Sequence, residues 1–82
     1  MHDTIRVVIE SPRGSAAFEL PKTAKVAEVI EIARLKFGFE PGEFVLKRKS
    51  TGETLASDRP LVSYHIGDHD ILLLVPEMGS GV

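Results

Sequence analysis

The feature that most constrains the fold of this chain is a run of five consecutive apolar residues, 71–75, with the sequence ILLLV. A strand with one solvated face alternates apolar and polar residues, whereas a strand covered on both faces can be apolar at every position. Five residues are far fewer than the roughly 20 that a membrane-spanning helix needs. The run therefore predicts a central strand, which ends at Pro76 because proline cannot donate a ladder hydrogen bond.

The N-terminal part of the chain has the period of two that is typical of strands. Ile5, Val7 and Ile9 are separated by single residues that would point to the opposite face of a strand. Residues 16–20 show the same alternation. Between them lies the sequence SPRG at 11–14, in which proline presets φ and glycine tolerates positive φ. These two segments predict a β-hairpin.

A change of period from 2 to 3.6 predicts one helix after the hairpin. Thr23 is the predicted N-cap, with a shift of one or two residues left open, and Gly38 is expected to end the helix as a C′ glycine. Leu35 points away from the apolar stripe, and Ile32 lies on its flank. Either a loop covers these two side chains or they form an exposed apolar spot. The stripe itself consists of Val26, Val29, Ile30, Ala33 and Phe37.

The remaining segments complete an α+β fold. Residues 44–49 predict a third strand and residues 54–55 a very short fourth one, while the irregular segment 58–67 supplies apolar side chains to one end of the core. The expected architecture is a mixed sheet of four or five strands with one helix packed across it. The last strand is expected in the middle of the sheet, parallel to the first.

Composition limits the possible functions. The 82 residues are enough for one domain, and they include no cysteine, which excludes disulfides, thiolate metal sites and a cysteine nucleophile. Twelve acidic and ten basic residues give a net charge of −2, which argues against nucleic acid as a partner. Residues 1–4 do not resemble a secretory signal. We therefore expect a cytoplasmic monomer that does not bind membranes.

Signatures of catalysis are missing from the sequence. No nucleophile elbow, phosphate-binding loop or HExxH zinc motif occurs, so we expect a protein that is not an enzyme and has no catalytic residues or cofactor. His65 and His69 lie near Asp68 and Asp70, and a third histidine, His2, lies near the N-terminus. A metal site needs convergent ligands, so we interpret these residues as surface loop residues and expect no metal.

The segment PLVSYHI at 60–66, followed by a polar link and the apolar run 71–75, resembles the corresponding part of ubiquitin. The helical segment 26–33 is similar to small bacterial ubiquitin-like proteins associated with type VII secretion. The resemblance implies the ubiquitin-like β-grasp fold. It also implies that the Tyr64 hydroxyl bonds the backbone of the preceding loop and that Ile66 is buried.

The same resemblance implies a role for the C-terminal residues. Counted from Ile66 without a gap, Gly81 falls where ubiquitin has its terminal glycine. The chain would divide into a domain at 1–76 and a flexible tail at 77–82, with Gly79, Ser80 and Gly81 forming a conjugation tail. Cleavage between Gly81 and Val82 by a peptidase would expose the glycine to E1-like and E2-like enzymes. The tail is not a double glycine, which is a departure from ubiquitin.

Partner recognition is expected at Lys47, Lys49, Leu73 and Val75. By the resemblance, Lys47 replaces the exposed isoleucine of ubiquitin's recognition patch, and Val75 keeps an apolar member of it. On one strand, Lys47 and Lys49 would share a face and could contact an acidic partner. The alternative is that these lysines form a solvated strand edge that resists aggregation.

Other positions that correspond to ubiquitin's recognition and activation sites also carry different residues. Pro12 stands where ubiquitin has a leucine, and Glu77 where it has an arginine read by the activating enzyme. Three functions therefore remain open: a protein modifier conjugated through Gly81, a non-covalent adaptor or secretion-associated assembly protein, and a sulfur carrier.

Overall fold

The computed structural model of the chain describes residues 3–77, which form five strands and one α-helix. A short 3₁₀ helix, Leu61–Tyr64, precedes the last strand. The order along the chain is ββαβββ, the five-strand version of the predicted sheet of four or five strands. The elements are β1 Thr4–Ser11, β2 Gly14–Pro21, α1 Val26–Phe37, β3 Phe44–Arg48, β4 Thr54–Leu55 and β5 Ile71–Pro76.

The five strands form one mixed sheet in the order β2-β1-β5-β3-β4, so the apolar strand β5 lies in its centre. β5 runs parallel to β1, with Ile9 opposite Leu72, and antiparallel to β3, with Leu46 opposite Leu74. The predicted central position and parallel pairing of this strand are both confirmed. Its end is one residue later than expected, because Pro76 itself pairs with Phe44.

The hydrophobic core lies between α1 and one face of the sheet. Ile5, Val7 and Ile9 from β1 and Leu72 and Leu74 from β5 all point into it and are buried. The α1 residues Val26, Val29 and Ala33 cover them from the other side and are fully buried. Ile30 and Phe37, also predicted for this stripe, are half-buried and pack against the same core.

The N-cap of α1 is Lys25, two residues after Thr23 and within the shift that the prediction allowed. The Glu28 side chain accepts a hydrogen bond from the Lys25 amide at 3.2 Å. The first helical amides donate instead to backbone carbonyls, Val26 to Arg59 and Ala27 to Ser57, each at 2.9 Å. Since these carbonyls satisfy donors that a threonine cap would otherwise serve, the helix needs no hydroxyl there. The predicted end at Gly38 is confirmed, with φ 77°.

The segment between β4 and β5 covers one end of the core, as expected. Leu61 and Ile66 are buried, and the Leu61 amide donates to the Ala24 carbonyl at 3.0 Å. The Tyr64 hydroxyl accepts a hydrogen bond from the Ala56 amide at 2.8 Å. The bond that the resemblance implied for Tyr64 is therefore present, and it ties the 3₁₀ helix to the loop after β4.

Candidate interaction surface on the outer face of the sheet

The face of the sheet opposite α1 is not covered by any element among residues 3–77, and we call it the outer face. Side chains alternate along a strand, so the residues between the core positions point to this side. Most of them are half-buried by their neighbours in the sheet. The apolar members of the outer face are Val8, Ala17, Val45, Ile71, Leu73 and Val75.

Strand β5 provides the centre of the outer face. Leu73 lies between Glu10 of β1 and Lys47 of β3, which are its Cα partners on either side. Val75 lies beside Val45 of β3. The predicted residues Lys47, Leu73 and Val75 are thus brought together, and Val45 enlarges the apolar area around them.

A shallow open groove of about 270 Å³ runs along one side of this apolar area. Its floor comes from the second half of β5, and its wall comes from the end of β1 and the β1–β2 turn. A groove of this size and openness suits one or two apolar side chains of a protein better than an enclosed small molecule. The lining residues are Glu10, Ser11, Pro12, Leu73, Leu74, Val75 and Pro76.

The two predicted lysines differ in position and in pairing. β3 ends at Arg48, so Lys49 lies in the following turn and not on the strand, contrary to the prediction. Lys49 Nζ forms an ion pair with Glu10 at 3.2 Å. Lys47 has no ion-pair partner among residues 3–77. Lys47 is therefore the cation of this pair that remains available for a partner's carboxylate.

Arg48, the middle residue of the basic cluster, has a structural role. It points to the inner side of the sheet and donates to the Tyr64 carbonyl at 2.9 Å and the His65 carbonyl at 3.2 Å. Its ion pair with Asp70 is 2.9 Å long, and Asp70 in turn accepts from the Gly67 amide at 2.9 Å. Arg48 Nε is buried without a hydrogen-bond partner in the described chain. Arg48 thus ties β3 to the segment before β5.

The exposed side of α1 carries the two apolar residues whose environment the sequence left open. Leu35 is 64% exposed and Ile32 is 43% exposed, so no loop among residues 3–77 covers them. On the same helix Arg34 donates to the Glu31 carboxylate, and this hydrogen bond lowers the pKa of Glu31 below its ordinary value.

The histidines do not form a site in the described part of the chain. His65 and His69 both have positive φ, 57° and 71°, which identifies them as turn residues. No group of three potential metal ligands converges within residues 3–77. His2 lies outside the described residues. Across the same range, no helix is long and apolar enough to cross a membrane.

The predicted conjugation tail, Gly79, Ser80 and Gly81, and the predicted cleavage site at Gly81 and Val82 lie outside the described residues. The described chain ends with Glu77, whose amide donates to the Glu43 carbonyl at 2.8 Å. This bond continues the pairing of β5 with β3 by one residue.

Sequence reasoning missed several residues of the outer face. Val45, Ile71 and Glu10 border Leu73 or Val75. The sequence indicated Leu73 and Val75 but not these three neighbours. The signal that would have found Val45 is its position one residue after Phe44, because neighbours on a strand point to opposite faces. Ser11 and Pro12 join the groove through the turn geometry, which the pattern does not specify.

Comparisons with known proteins bear on the fold. No protein-family model matches the sequence, and no curated protein matches it significantly. Solved structures do match.

Three of them illustrate the likeness. A chain solved in work on molecular mimicry of SUMO that promotes DNA repair is 19% identical, with a TM-score of 0.82, 92% of this chain covered and 94% of that chain. A protein designed on the basis of ubiquitin is 18% identical, with a TM-score of 0.81 and both chains fully covered at 100%. The ubiquitin-like domain of an Arabidopsis thaliana protein is 17% identical, with a TM-score of 0.81, 99% of this chain covered and 85% of that chain. Identities this low establish the architecture and not the activity, and that architecture is the ubiquitin-like β-grasp fold.

Proposed function

We propose that this chain is a ubiquitin-like protein modifier that other proteins recognise through the outer face of its sheet. The observation that supports the proposal is the uncovered apolar area around Leu73 and Val75 on the central strand, beside an open groove. The protein's part in this function is to be bound, and it performs no catalysis itself. Partner enzymes supply the chemistry.

The outer face has the composition of a small interaction site. Aliphatic side chains form its centre, and charged groups stand at its border, which is the arrangement that excludes water from the centre of an interface. The apolar members lie on strands, and the sheet therefore holds them in place before a partner arrives. Little conformational entropy is then lost on binding.

The charges on the outer face specify the partner further. Glu10 and Lys49 neutralise each other, whereas Lys47 lies beside Leu73 without an ion pair in the described chain. A partner that places an apolar side chain in the groove and a carboxylate near Lys47 would match both features. By the resemblance, Lys47 stands where the recognition patch of ubiquitin has an isoleucine. Ubiquitin's own partners would meet an unpaired cation there, and we expect them to bind poorly.

Covalent attachment would use Gly81. The support is the register, since Gly81 falls at the position of ubiquitin's terminal glycine when counted from Ile66, which is buried as that alignment requires. A peptidase would hydrolyse the bond between Gly81 and Val82, and an E1-like enzyme would adenylate the new carboxylate with ATP and release pyrophosphate. Transfer to a lysine of the target would form an isopeptide bond and release AMP.

The test is carried out on the full chain with an N-terminal tag in its native cell, with adducts measured by mass spectrometry. We expect chain ending at Gly81 and isopeptide-linked adducts of it. Leu73→Arg should lower the adducts at least about tenfold, the loss expected for a central interface residue. Leu35→Arg is the matched control, because Leu35 is an exposed leucine on the opposite side of the molecule, and its adducts should be unchanged.

Two results would contradict the proposal. Protein that retains Val82 and forms no adducts, in cells that contain the partner enzymes, would rule out conjugation through Gly81. Equal adduct levels in the Leu73 and Leu35 variants would rule out recognition through the outer face.

A non-covalent adaptor is the second candidate, and one observation favours it. The outer face and its groove are complete within residues 3–77 and need none of the tail. Deletion of residues 79–82 should leave an adaptor functional but abolish a modifier. A sulfur carrier would also need Gly81, and detection of a C-terminal thiocarboxylate instead of isopeptide adducts would identify it.

A further inference from the structure

The β1–β2 turn is joined to the C-terminus of α1 by one side chain, Arg13. Its Nη1 donates to the Gly38 carbonyl at 2.7 Å and to the Phe37 carbonyl at 3.4 Å. The guanidinium carbon lies 4.6 Å from the centre of the Phe39 ring, within the range of a cation–π contact. A four-residue turn on the sheet is thus bonded to a different layer of the molecule.

The chemistry of both partners suits this contact. The last carbonyls of a helix receive no hydrogen bond from an N–H group of the helix, and they carry partial negative charge. A cation beside them is therefore favourable. Gly38 adopts the left-handed conformation that exposes these carbonyls, with φ 77°. The planar guanidinium can donate to the carbonyls and stack on Phe39 at the same time, which a lysine ammonium cannot do.

The turn is also fixed from within. The Ser11 hydroxyl donates to the Gly14 carbonyl at 3.1 Å and accepts from the Arg13 amide at 3.0 Å. These bonds set the local shape of the turn, but they do not fix its position relative to the rest of the molecule. Only Arg13, among the described residues of the turn, makes side-chain hydrogen bonds to another element.

The same turn forms one wall of the groove. Ser11 and Pro12 line it opposite Leu73 and Val75, while Arg13 reaches away to the helix. Movement of the turn would therefore change the width of the groove. We infer that Arg13 is a positioning residue that fixes the groove wall by bonding the β1–β2 turn to the C-terminal carbonyls of α1.

A fixed wall determines which partners the groove accepts. A groove that is rigid before binding selects side chains by shape and loses little entropy when they enter, whereas a mobile turn would accept varied partners at a larger entropic cost. The inference thus predicts a narrow partner range. This consequence for partners rests on the proposed function, but the positioning role itself is measurable on the free protein.

The experiment compares backbone ¹⁵N relaxation of residues 11–14 in the full chain and three variants. In the unaltered protein we expect order parameters near those of a rigid backbone, about 0.85. In Arg13→Ala we expect them to fall below about 0.6, the range of flexible segments. The methyl resonances of Leu73 and Val75 should shift in the same variant, because the wall opposite them moves.

Arg34→Ala is the matched control. Arg34 also donates to a carbonyl after the helix, that of Phe39 at 2.9 Å, but its other side-chain partner within residues 3–77 is Glu31 and not the turn. Both variants remove an arginine at the same helix end and should lower the melting temperature, yet only Arg13→Ala should mobilise residues 11–14. Arg13→Lys should give intermediate order parameters, since the ammonium keeps the charge but loses the stacked plane.

Two outcomes would overturn the inference. One is a turn that stays rigid in Arg13→Ala while the methyl resonances of Leu73 and Val75 are unchanged. The other is equal mobility in the Arg13 and Arg34 variants, which would assign the effect to the helix end and not to the guanidinium. Neither result depends on a partner, so failure here is distinct from failure of the proposed function.

Discussion

The two faces of strand β5 have almost the same side chains but different roles. Leu72 and Leu74 point inward and are at most 1% exposed, whereas Leu73 and Val75 point outward and are half-buried. The inward pair packs against the helix and stabilises the fold. The outward pair lies in the open part of the sheet and is available to a partner.

This difference shows that hydrophobicity alone does not assign a role to a residue in a central strand. Both faces of β5 are apolar, so the alternation that separates core from surface in other strands is absent. The two faces of β5 differ in whether another layer of the structure packs against them. α1 covers the inner face, and nothing in residues 3–77 covers the outer one.

The largest expected effect tests the two faces with the same substitution at neighbouring residues. Leu74→Ala should lower the free energy of unfolding by about 2–5 kcal/mol, because it leaves a cavity in the core between the sheet and α1. Leu73→Ala should cost less than about 1.5 kcal/mol, since solvent can reach the truncated side chain. Urea denaturation of both variants measures the difference. Equal losses would mean that the outer face is structural as well.

A second pair of neighbours extends the comparison to charged residues on β3. Arg48→Ala should lower stability by about 1–3 kcal/mol, because Asp70 and two carbonyls lose their donor on the inner side. Lys47→Ala should change it by less than about 0.5 kcal/mol, as is usual for a surface residue without partners.

The melting temperatures measure this effect. A loss of 1 kcal/mol lowers the melting temperature of a domain of this size by roughly 4–8 °C. If both variants melted at the same temperature, Arg48 and Lys47 would not differ in role.

The smallest effect concerns the ion pair on the outer face. Lys49→Ala should cost at most about 1 kcal/mol, because Lys49 and Glu10 are both partly exposed to solvent. The loss should decrease as salt is raised, since screening already weakens the pair in the unaltered protein. A double-mutant cycle with Glu10→Gln measures the coupling. A coupling energy that is independent of salt would show that burial, and not charge, determines how much Lys49 and Glu10 contribute to stability.

Much of the fold is predictable from local pattern. The central position of β5 follows from five apolar residues in a row, and the helix stripe and its glycine end follow from the spacing around Val26–Phe37. These features depend on residues close in sequence or on burial of whole segments. The bond between Tyr64 and Ala56 followed only from the resemblance to ubiquitin, because pattern does not specify a single long-range hydrogen bond.

The errors have a common physical cause. Side-chain chemistry placed the N-cap at Thr23 or within two residues of it, and it could not specify Lys25, because carbonyls of a loop 30 and 33 positions later satisfy the helix amides. Lys49 was placed on the strand by continuity, but the turn begins one residue earlier. The roles of Arg48 and Arg13 depend on carbonyls of distant segments, which composition and period do not reveal. The sequence therefore located Lys47, Leu73 and Val75 on the outer face, but it missed their neighbours Val45, Ile71 and Glu10.

The parallel pairing of β1 with β5 also has a consequence for synthesis of the protein. β1 is synthesised before the other four strands, yet one of its two neighbours in the sheet is the last of them, β5. A nascent chain that stops short of residue 71 has a hairpin and a helix but an unpaired edge where the centre of the sheet will be. Folding to the native state must wait for β5, and during translation that edge is the segment most in need of protection by chaperones.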